Sequence, residues 1–217
     1  MQNYQHEFIE FLLQHQALKF GEFTLKSGRI SPYFFNAGVF QDGASLAKLG
    51  NYYAAAIQDN KLGYDVLFGP AYKGIPLVCA TAIALTNHYH QNMPYCFNRK
   101  KIKEYGERDM IIGAPLKGRV LIIDDTITAG TAIRESGQLI DAAGAKLTGV
   151  VIALDRQERG QTQNSAIQEI EETYQIKVIS IVKLKQIMEY LAAQQTMQST
   201  LEKMRNYQQQ YGAINSQ

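Results

Sequence analysis

The sequence carries almost no net charge: Lys plus Arg is 22 and Asp plus Glu is 20, which leaves +2 over 217 residues. That balance removes the case for general nucleic-acid binding, which needs a strongly basic face. It also argues against charge-driven disorder, because 46% of the residues are apolar, enough for a real core. Long apolar runs are missing. The longest, Ile75 to Thr86, has 12 residues. A bilayer span needs about 20, so no membrane helix and no membrane partner are expected. The first residues, MQNYQHEFIEF, lack a basic stretch followed by an apolar one, so no secretory signal is read there. Cysteine is scarce. Cys79 and Cys96 stand in apolar surroundings without CxxC spacing. Two reduced thiols are expected, not a disulfide framework or a zinc site. His88 and His90 alternate with Asn87 and Tyr89 and have no acidic neighbour, which favours a solvated loop over a metal pair. Taken together, these absences point to a cytoplasmic protein.

No repeat or linker divides the chain, so one domain is expected over residues 1–217. Tyr4 to His15 reads as a helix, with Phe8, Ile9, Phe11, Leu12 and Leu13 toward one side. Leu18 to Asn36 reads as short strands around a turn at Ser27-Gly28. Asp42 can cap a helix running to about Asn60, with Leu46, Leu49 and Tyr53 on one face. Strand and helix then alternate. Strands are expected at Val66 to Phe68, Tyr95 to Asn98, Val120 to Asp124, Leu147 to Leu154 and Val178 to Val182. Helices are expected at Ile75 to Asn87, Thr131 to Ala142 and Ser165 to Tyr174. Pro76 is tolerated in a first turn, Gly144 suits a helix end, and Ser165 with Gln168 matches a capping box. This alternation implies right-handed crossovers and an α/β fold, a parallel sheet flanked by helices. The tail from Leu184 reads as a surface helix followed by a frayed, Gln-rich end.

The strongest chemical signal is VLIIDDTITAGTA, Val120 to Ala132. A buried strand ends in two adjacent carboxylates, Asp124 and Asp125. A loop of small and hydroxylated residues then leads into a helix near Thr131. Ligands of open α/β sheets bind beyond the carboxyl ends of the strands. A helix N-terminus suits a phosphate, through its unpaired N–H groups and positive dipole end. Thr126, Thr128 and Thr131 add hydroxyls, and Ala129 and Gly130 let a ligand approach the backbone. Twin carboxylates beside a phosphate would repel it unless they face hydroxyls or a hydrated Mg²⁺. A ligand with a phosphate at one end, a diol in the middle and a Mg²⁺-bound diphosphate at the other satisfies all of these. The chain has no GxxxxGK[ST], which removes a P-loop NTPase. A plain structural strand-turn-helix is disfavoured because twin carboxylates at a buried edge are costly.

Three other stretches have local readings. GPAYKG, Gly69 to Gly74, can present N–H groups to a diphosphate with Lys73 adding charge, though a tight turn with an exposed lysine reads equally well. Asn98 to Met110 is charged and lacks apolar periodicity, so it reads as a loop. Phe34 and Phe35 are adjacent in a strand and point to opposite faces, so at least one is expected in the core. Arg156 follows Asp155, and an exposed salt bridge is the ordinary reading.

The Val120–Ala132 segment resembles the phosphoribosyl diphosphate (PRPP) binding motif of the type I phosphoribosyltransferases. FTLKSGRISPYFFN, GPAYKGIPL, NRKKIKEYGE and ALDRQERG are similar, in order and spacing, to the orotate phosphoribosyltransferase family, and the likeness spans nearly the whole chain. The resemblance implies the type I phosphoribosyltransferase fold. In it, a small N-terminal hood of short strands takes residues 1–40 and part of the C-terminal region, and 98–113 form a mobile catalytic loop. It implies transfer of ribose 5-phosphate from PRPP to orotate, with Mg²⁺, giving orotidine 5′-monophosphate and diphosphate on the route to UMP. It puts Lys26, Tyr72, Lys73, Arg99, Lys100, Lys103, Tyr105, Asp124, Asp125, Thr126, Ile127, Thr128, Ala129, Gly130, Thr131 and Ala132 at PRPP. Orotate would meet Lys26, Phe34, Phe35, Thr128 and Arg156, whose planar cation matches a carboxylate. Lys73, Lys103, Asp124 and Asp125 would carry the chemistry. Mg²⁺ would ride on the diphosphate, reached through water from Asp124 or Asp125. The family's homodimer would let Arg99, Lys103 and Tyr105 act on the neighbouring subunit's site. Tyr105 stands where the family usually carries His, and it cannot become a cation.

Two rivals stay open. A phosphoribosyltransferase for another base lacks a use for Lys26, Phe34-Phe35 and Arg156. A DNA-binding regulator that senses PRPP needs a winged-helix domain, and only one helix is expected ahead of the hairpin.

Overall fold

A computed structural model describes residues 1–25, 27–100, 110–160 and 162–213. Its elements run α1 (Asn3–Gln14), β1 (Leu18–Thr24), β2 (Ile30–Phe35), α2 (Gly43–Asn60), β3 (Val66–Gly69), α3 (Gly74–Tyr89), β4 (Tyr95–Asn98) and β5 (Ile111–Gly113). They continue with β6 (Arg119–Ile123), α4 (Thr131–Ala142), β7 (Lys146–Asp155), α5 (Ala166–Tyr174), β8 (Lys177–Lys183), α6 (Leu184–Ala192) and α7 (Gln198–Tyr211). Among the described residues no helix is long and apolar enough to cross a membrane. The chain forms two compact units. One takes Met1–Gln41, Leu154–Ser165 and Val182–Gln217, and the other takes Asp42–Ala153 and Ala166–Ile181.

The larger unit is built on a six-stranded sheet in the order β5-β4-β3-β6-β7-β8. β3 runs parallel to β4 and β6, and β6 parallel to β7. The central strands are apolar on both faces because helices cover both. Val66, Phe68, Val120, Ile122, Val150 and Ile152 pack against Ile133 and Ile140 of α4 and Ile167 and Ile170 of α5. The alternate residues Leu67, Leu121 and Val151 are buried on the other face, where α3 lies over β3 and β6. Asp42 caps α2 as expected, its side chain accepting from the Ser45 N–H at 2.9 Å. Ile111 to Gly113, which the family likeness puts in the mobile loop, instead form an edge strand antiparallel to β4. Three residues are too few for a period to show in the sequence.

Register brings two loops side by side. Phe68 pairs with Ile122, so the ends of β3 and β6 lie at one edge of the sheet. The β3–α3 turn is drawn tight there. A Cβ on Gly74 would sit 2.9 Å from the Ile123 carbonyl and 2.7 Å from the Pro70 ring. A Cβ on Gly69 would meet the Gly74 carbonyl.

The smaller unit starts with the β1–β2 hairpin, paired Leu18 to Phe35 and Phe20 to Tyr33. Gly28 closes the turn with a φ of 82°. Its core includes Phe8, Ile9, Phe11 and Leu12 of α1, Leu184, Ile187 and Leu191 of α6, and Tyr33. Two expectations are corrected here. Neither Phe34 nor Phe35 is a core residue. Phe34 is exposed and stacks on Phe23 at 5.5 Å, Phe35 is half-buried, and Tyr33 and Ser31 take the interior. The tail, in turn, is not a surface helix that frays. α7 buries Leu201, Met204 and Tyr207. Three apolar residues spaced by three make a stripe too thin to stand out in QSTLEKMRNYQQQY.

The tight turn gives a direct test. Gly74→Ala should lower stability by about 2 kcal/mol or more, because the new methyl meets backbone and a proline ring that cannot rotate away. The urea midpoint measures this. An unchanged midpoint would show that the turn has slack.

Candidate active site

The loops after β3 and β6 enclose a cavity of about 360 Å³, lined by Pro70 to Lys73 and by Asp124 to Ile133. It gathers Tyr72, Lys73, Asp124, Asp125, Thr126, Ile127, Thr128, Ala129, Gly130, Thr131 and Ala132. The acidic pair follows the last residue of β6, where the apolar run stops and the strand leaves the core. Its backbone stays in the ladder. The Asp124 N–H donates to the Val151 carbonyl at 3.0 Å, and the Ala153 N–H donates to the Asp125 carbonyl at 2.9 Å. Tyr53 of α2 donates its hydroxyl to the Asp124 carbonyl at 2.7 Å. The sequence puts Tyr53 on one helix face with Leu46 and Leu49, a reading that missed this bond. The available signal was that a buried tyrosine hydroxyl must find a partner.

The two carboxylates are only 7% and 8% exposed. Asp124 Oδ1 accepts from the Asp125 N–H at 2.9 Å, and Asp125 Oδ1 from the Thr126 N–H at 2.8 Å. Lys73 Nζ reaches Asp125 Oδ2 at 2.6 Å. Burial, followed by the charge of Asp125, pushes the Asp124 carboxyl up to about 7; the Asp125 N–H and Lys73 only partly offset this. The site thus has one acid group that titrates near neutrality.

Opposite the carboxylates, α4 starts after Gly130, whose φ of 73° turns the chain into the helix. Among the described residues, the N–H groups of Thr128 to Ala132 donate to no backbone carbonyl. Such amides at a helix N-terminus are suited to an anion. On the other loop, the Ala71 N–H donates to Asn98 Oδ1 at 2.8 Å, which fixes the turn beside Lys73. The sequence marks Asn98 as the end of a strand and the start of the charged loop, with no sign of this bond. Tyr72 stands out from this turn, 72% exposed.

Of the residues expected in the charged loop, Arg99 and Lys100 are described. The Arg99 N–H donates to the Met110 carbonyl at 2.8 Å, and its Nε is buried without a partner among the described residues. Lys100 stands 3.7 Å from Glu135. Lys26, Lys103 and Tyr105 lie outside the described residues.

Phe34, Phe35 and Arg156 belong to the smaller unit. Arg156 is not the exposed salt bridge that its neighbour Asp155 suggests. Its Nε and Nη2 donate to Glu158 Oε1 at 3.0 and 2.8 Å, with the two side chains 19% and 13% exposed. Glu158 lies in the quoted ALDRQERG stretch, but nothing in the sequence marked it.

Among the described residues no cluster of three or more His, Cys, Asp or Glu could hold a metal. The donor set still fits one kind of ion. Two hard carboxylates on a cavity wall suit a Mg²⁺ that keeps water and takes its remaining ligands from substrate phosphates.

The comparisons with known proteins agree with this geometry. A family model described as phosphoribosyl transferase domain matches residues 39–182. A curated orotate phosphoribosyltransferase of Yersinia enterocolitica is 58% identical over 212 residues, 98% of this chain and 100% of that one. That of Pseudoalteromonas translucida is also 58% identical, over 98% of this chain and 99% of its own. The crystal structure of the Francisella tularensis orotate phosphoribosyltransferase superposes with a TM-score of 0.86 at 47% identity, covering 95% of this chain and all of that one. With a matching domain model, near full-length relatives and a closely superposing crystal structure, the chain belongs to the orotate phosphoribosyltransferase family of phosphoribosyl transferase proteins.

Proposed function

We propose that this enzyme transfers ribose 5-phosphate from PRPP to orotate, giving orotidine 5′-monophosphate and diphosphate in pyrimidine biosynthesis. The observation that carries the reading is the buried pair Asp124 and Asp125, which lines one cavity together with the amides at the head of α4. The bond from the ribose C1 to the diphosphate oxygen breaks, the bond from C1 to the orotate ring nitrogen forms, and the proton of that nitrogen passes to the departing diphosphate or to solvent. Positive charge develops on the ribose in between. The 5′-phosphate takes the amides from Thr128 to Ala132 at the head of α4. The ribose hydroxyls donate to Asp124 and Asp125, whose charges favour the cationic ribose. Lys73 leaves or shares Asp125 and meets the departing diphosphate, with Lys103, Arg99 and Lys100 closing from the charged loop and Tyr105 adding one hydrogen bond. Lys26, Phe34, Phe35, Thr128 and Arg156 take the base. Mg²⁺, carried on the diphosphate, neutralises leaving-group charge when bound.

The same reading includes a homodimer in which Arg99, Lys103 and Tyr105 serve the neighbouring subunit. The exposed apolar surface of α3, with Ile83 62% exposed beside a cleft of about 300 Å³, supports an interface on that face. Two free thiols, Cys79 and Cys96, support a reducing, cytoplasmic setting.

Release of diphosphate from PRPP should depend on orotate and should not occur with purine bases in its place. Activity with a purine and none with orotate would assign the protein to a different base. The double change Asp124→Asn with Asp125→Asn should lower kcat by ~100-fold or more, in line with the loss of oriented electrostatic groups. Near-normal turnover would overturn the PRPP assignment.

Asp124 also predicts a pH effect on stability. Below about pH 4 its carboxyl is protonated in both the folded and unfolded states. Between there and pH 7 the folded state keeps a proton that the unfolded chain has lost, so stability falls as pH rises through this window. Asp124→Asn should therefore gain in melting temperature over the parent from pH 5 to pH 8. A difference that stays flat with pH would contradict the raised pKa of Asp124.

A further inference from the structure

In the smaller unit Arg156 belongs to a side-chain cluster whose other members, Glu158 and Tyr33, have so far no role in the reaction. Glu158 Oε1 accepts three hydrogen bonds, from the Tyr33 hydroxyl at 2.7 Å and from Arg156 Nε and Nη2 at 3.0 and 2.8 Å. The Arg156 guanidinium lies over the Tyr33 ring, with Cζ 4.7 Å from its centre. Tyr33 is fully buried. Burial and the Glu158 charge hold its hydroxyl well above the usual tyrosine range, so it remains a donor. One face of the guanidinium is therefore covered and its Nε–Nη2 edge is used. A guanidinium has a second edge that fits a carboxylate, formed by Nη1 and Nη2. Among the described residues no hydrogen bond is seen from Nη1, which leaves that edge for a ligand.

A negative side chain beside a site for an anionic base lowers the attraction to that anion. If charge alone mattered, Glu158 would be a handicap. Geometry explains its presence. A long arginine side chain otherwise loses rotamer freedom when it binds, and one already fixed loses less.

Glu158 is itself held by the end of the chain. Gly212 bridges to Glu158 in antiparallel fashion. The Ala213 N–H donates to the Gln157 carbonyl at 3.0 Å, and the Arg159 N–H to the Tyr211 carbonyl at 2.9 Å. Arg29 stacks on the Tyr211 ring at 5.0 Å and donates to the Arg159 carbonyl at 3.1 Å.

We propose that Glu158 is a positioning residue that presents Arg156 end-on to the carboxylate of orotate, and that Tyr33 and the carboxyl-terminal segment Tyr211 to Ala213 hold Glu158 in place. This rests on the reading of Arg156 as the partner of that carboxylate. The Gln-rich tail is then part of base recognition.

Steady-state kinetics of the full-length enzyme with Mg²⁺ test it. Tyr33→Phe keeps the ring under Arg156 and every charge, and removes only the hydroxyl on Glu158. It should raise KM for orotate by ~3- to 10-fold, the worth of one hydrogen bond, and leave KM for PRPP within about 2-fold. Ala213→Pro removes the N–H that donates to the Gln157 carbonyl. Gly212 already has φ −63° and ψ 146°, the conformation a residue before proline prefers. It should shift KM for orotate in the same direction, and it decides alone if Tyr33→Phe does not fold. Arg156→Ala is measured beside them. If it raises KM for both substrates equally, or for neither, the reading of Arg156 fails and the proposal falls with it. If Arg156→Ala is selective for orotate while the other two variants leave KM for orotate unchanged, Arg156 binds the base and Glu158 does not position it.

Discussion

Two carboxylates held side by side out of water are the constraint on which the rest of this structure depends. Asp124 and Asp125 are both nearly buried, and nothing in a folded core rewards that arrangement by itself. The protein offsets it locally with Lys73, with two backbone N–H donors and with a proton retained on Asp124 near neutrality. It fixes the pair from behind with the β6–β7 ladder and the Tyr53 hydroxyl. These supports are preorganisation of position: the two side chains are placed before the ligand arrives, and what changes on binding is the proton on Asp124 rather than the geometry. The tight Gly69–Gly74 turn serves the same end by carrying Lys73 to the carboxylates.

Most of this was legible in the sequence because strong local signals coincide there. The apolar run of β6, the twin aspartates and the small-residue loop ahead of α4 mark a strand end, a charge and a helix start within thirteen residues. The Asp42 cap and the Ser27-Gly28 turn were visible for similar reasons. What escaped notice depends on contacts distant in sequence. Tyr53 and Asn98 act through bonds to loops 71 and 27 residues away, and each looks ordinary in its own segment. At least one of Phe34 and Phe35 was expected in the core, yet it is Tyr33 that fills the interior, where its hydroxyl finds Glu158. The α7 helix was hidden by its own composition. A mostly polar helix needs only Leu201, Met204 and Tyr207 to dock.

The two units handle charge in different ways. In the larger, like charges are crowded together and one keeps a proton. In the smaller, the cation of Arg156 is matched by Glu158 and backed by an aromatic face, which fixes its direction at some cost in attraction. The first arrangement suits a ligand that brings hydroxyls and its own cation. The second suits a flat ligand with one carboxylate, where direction matters more than strength.

The central claim is that the acidic pair binds the ribose of PRPP as carboxylates, so Asp124 must give up its proton when the ligand binds. Calorimetric titration of the protein with PRPP and Mg²⁺ at pH 7, repeated in buffers of different ionisation enthalpy, counts the protons exchanged. Comparison with Asp124→Asn subtracts those that come from the ligand itself. The account predicts that the parent releases more protons than the variant and binds more tightly as pH rises from 6 to 8. Equal proton counts and equal pH dependence in the two proteins would contradict it.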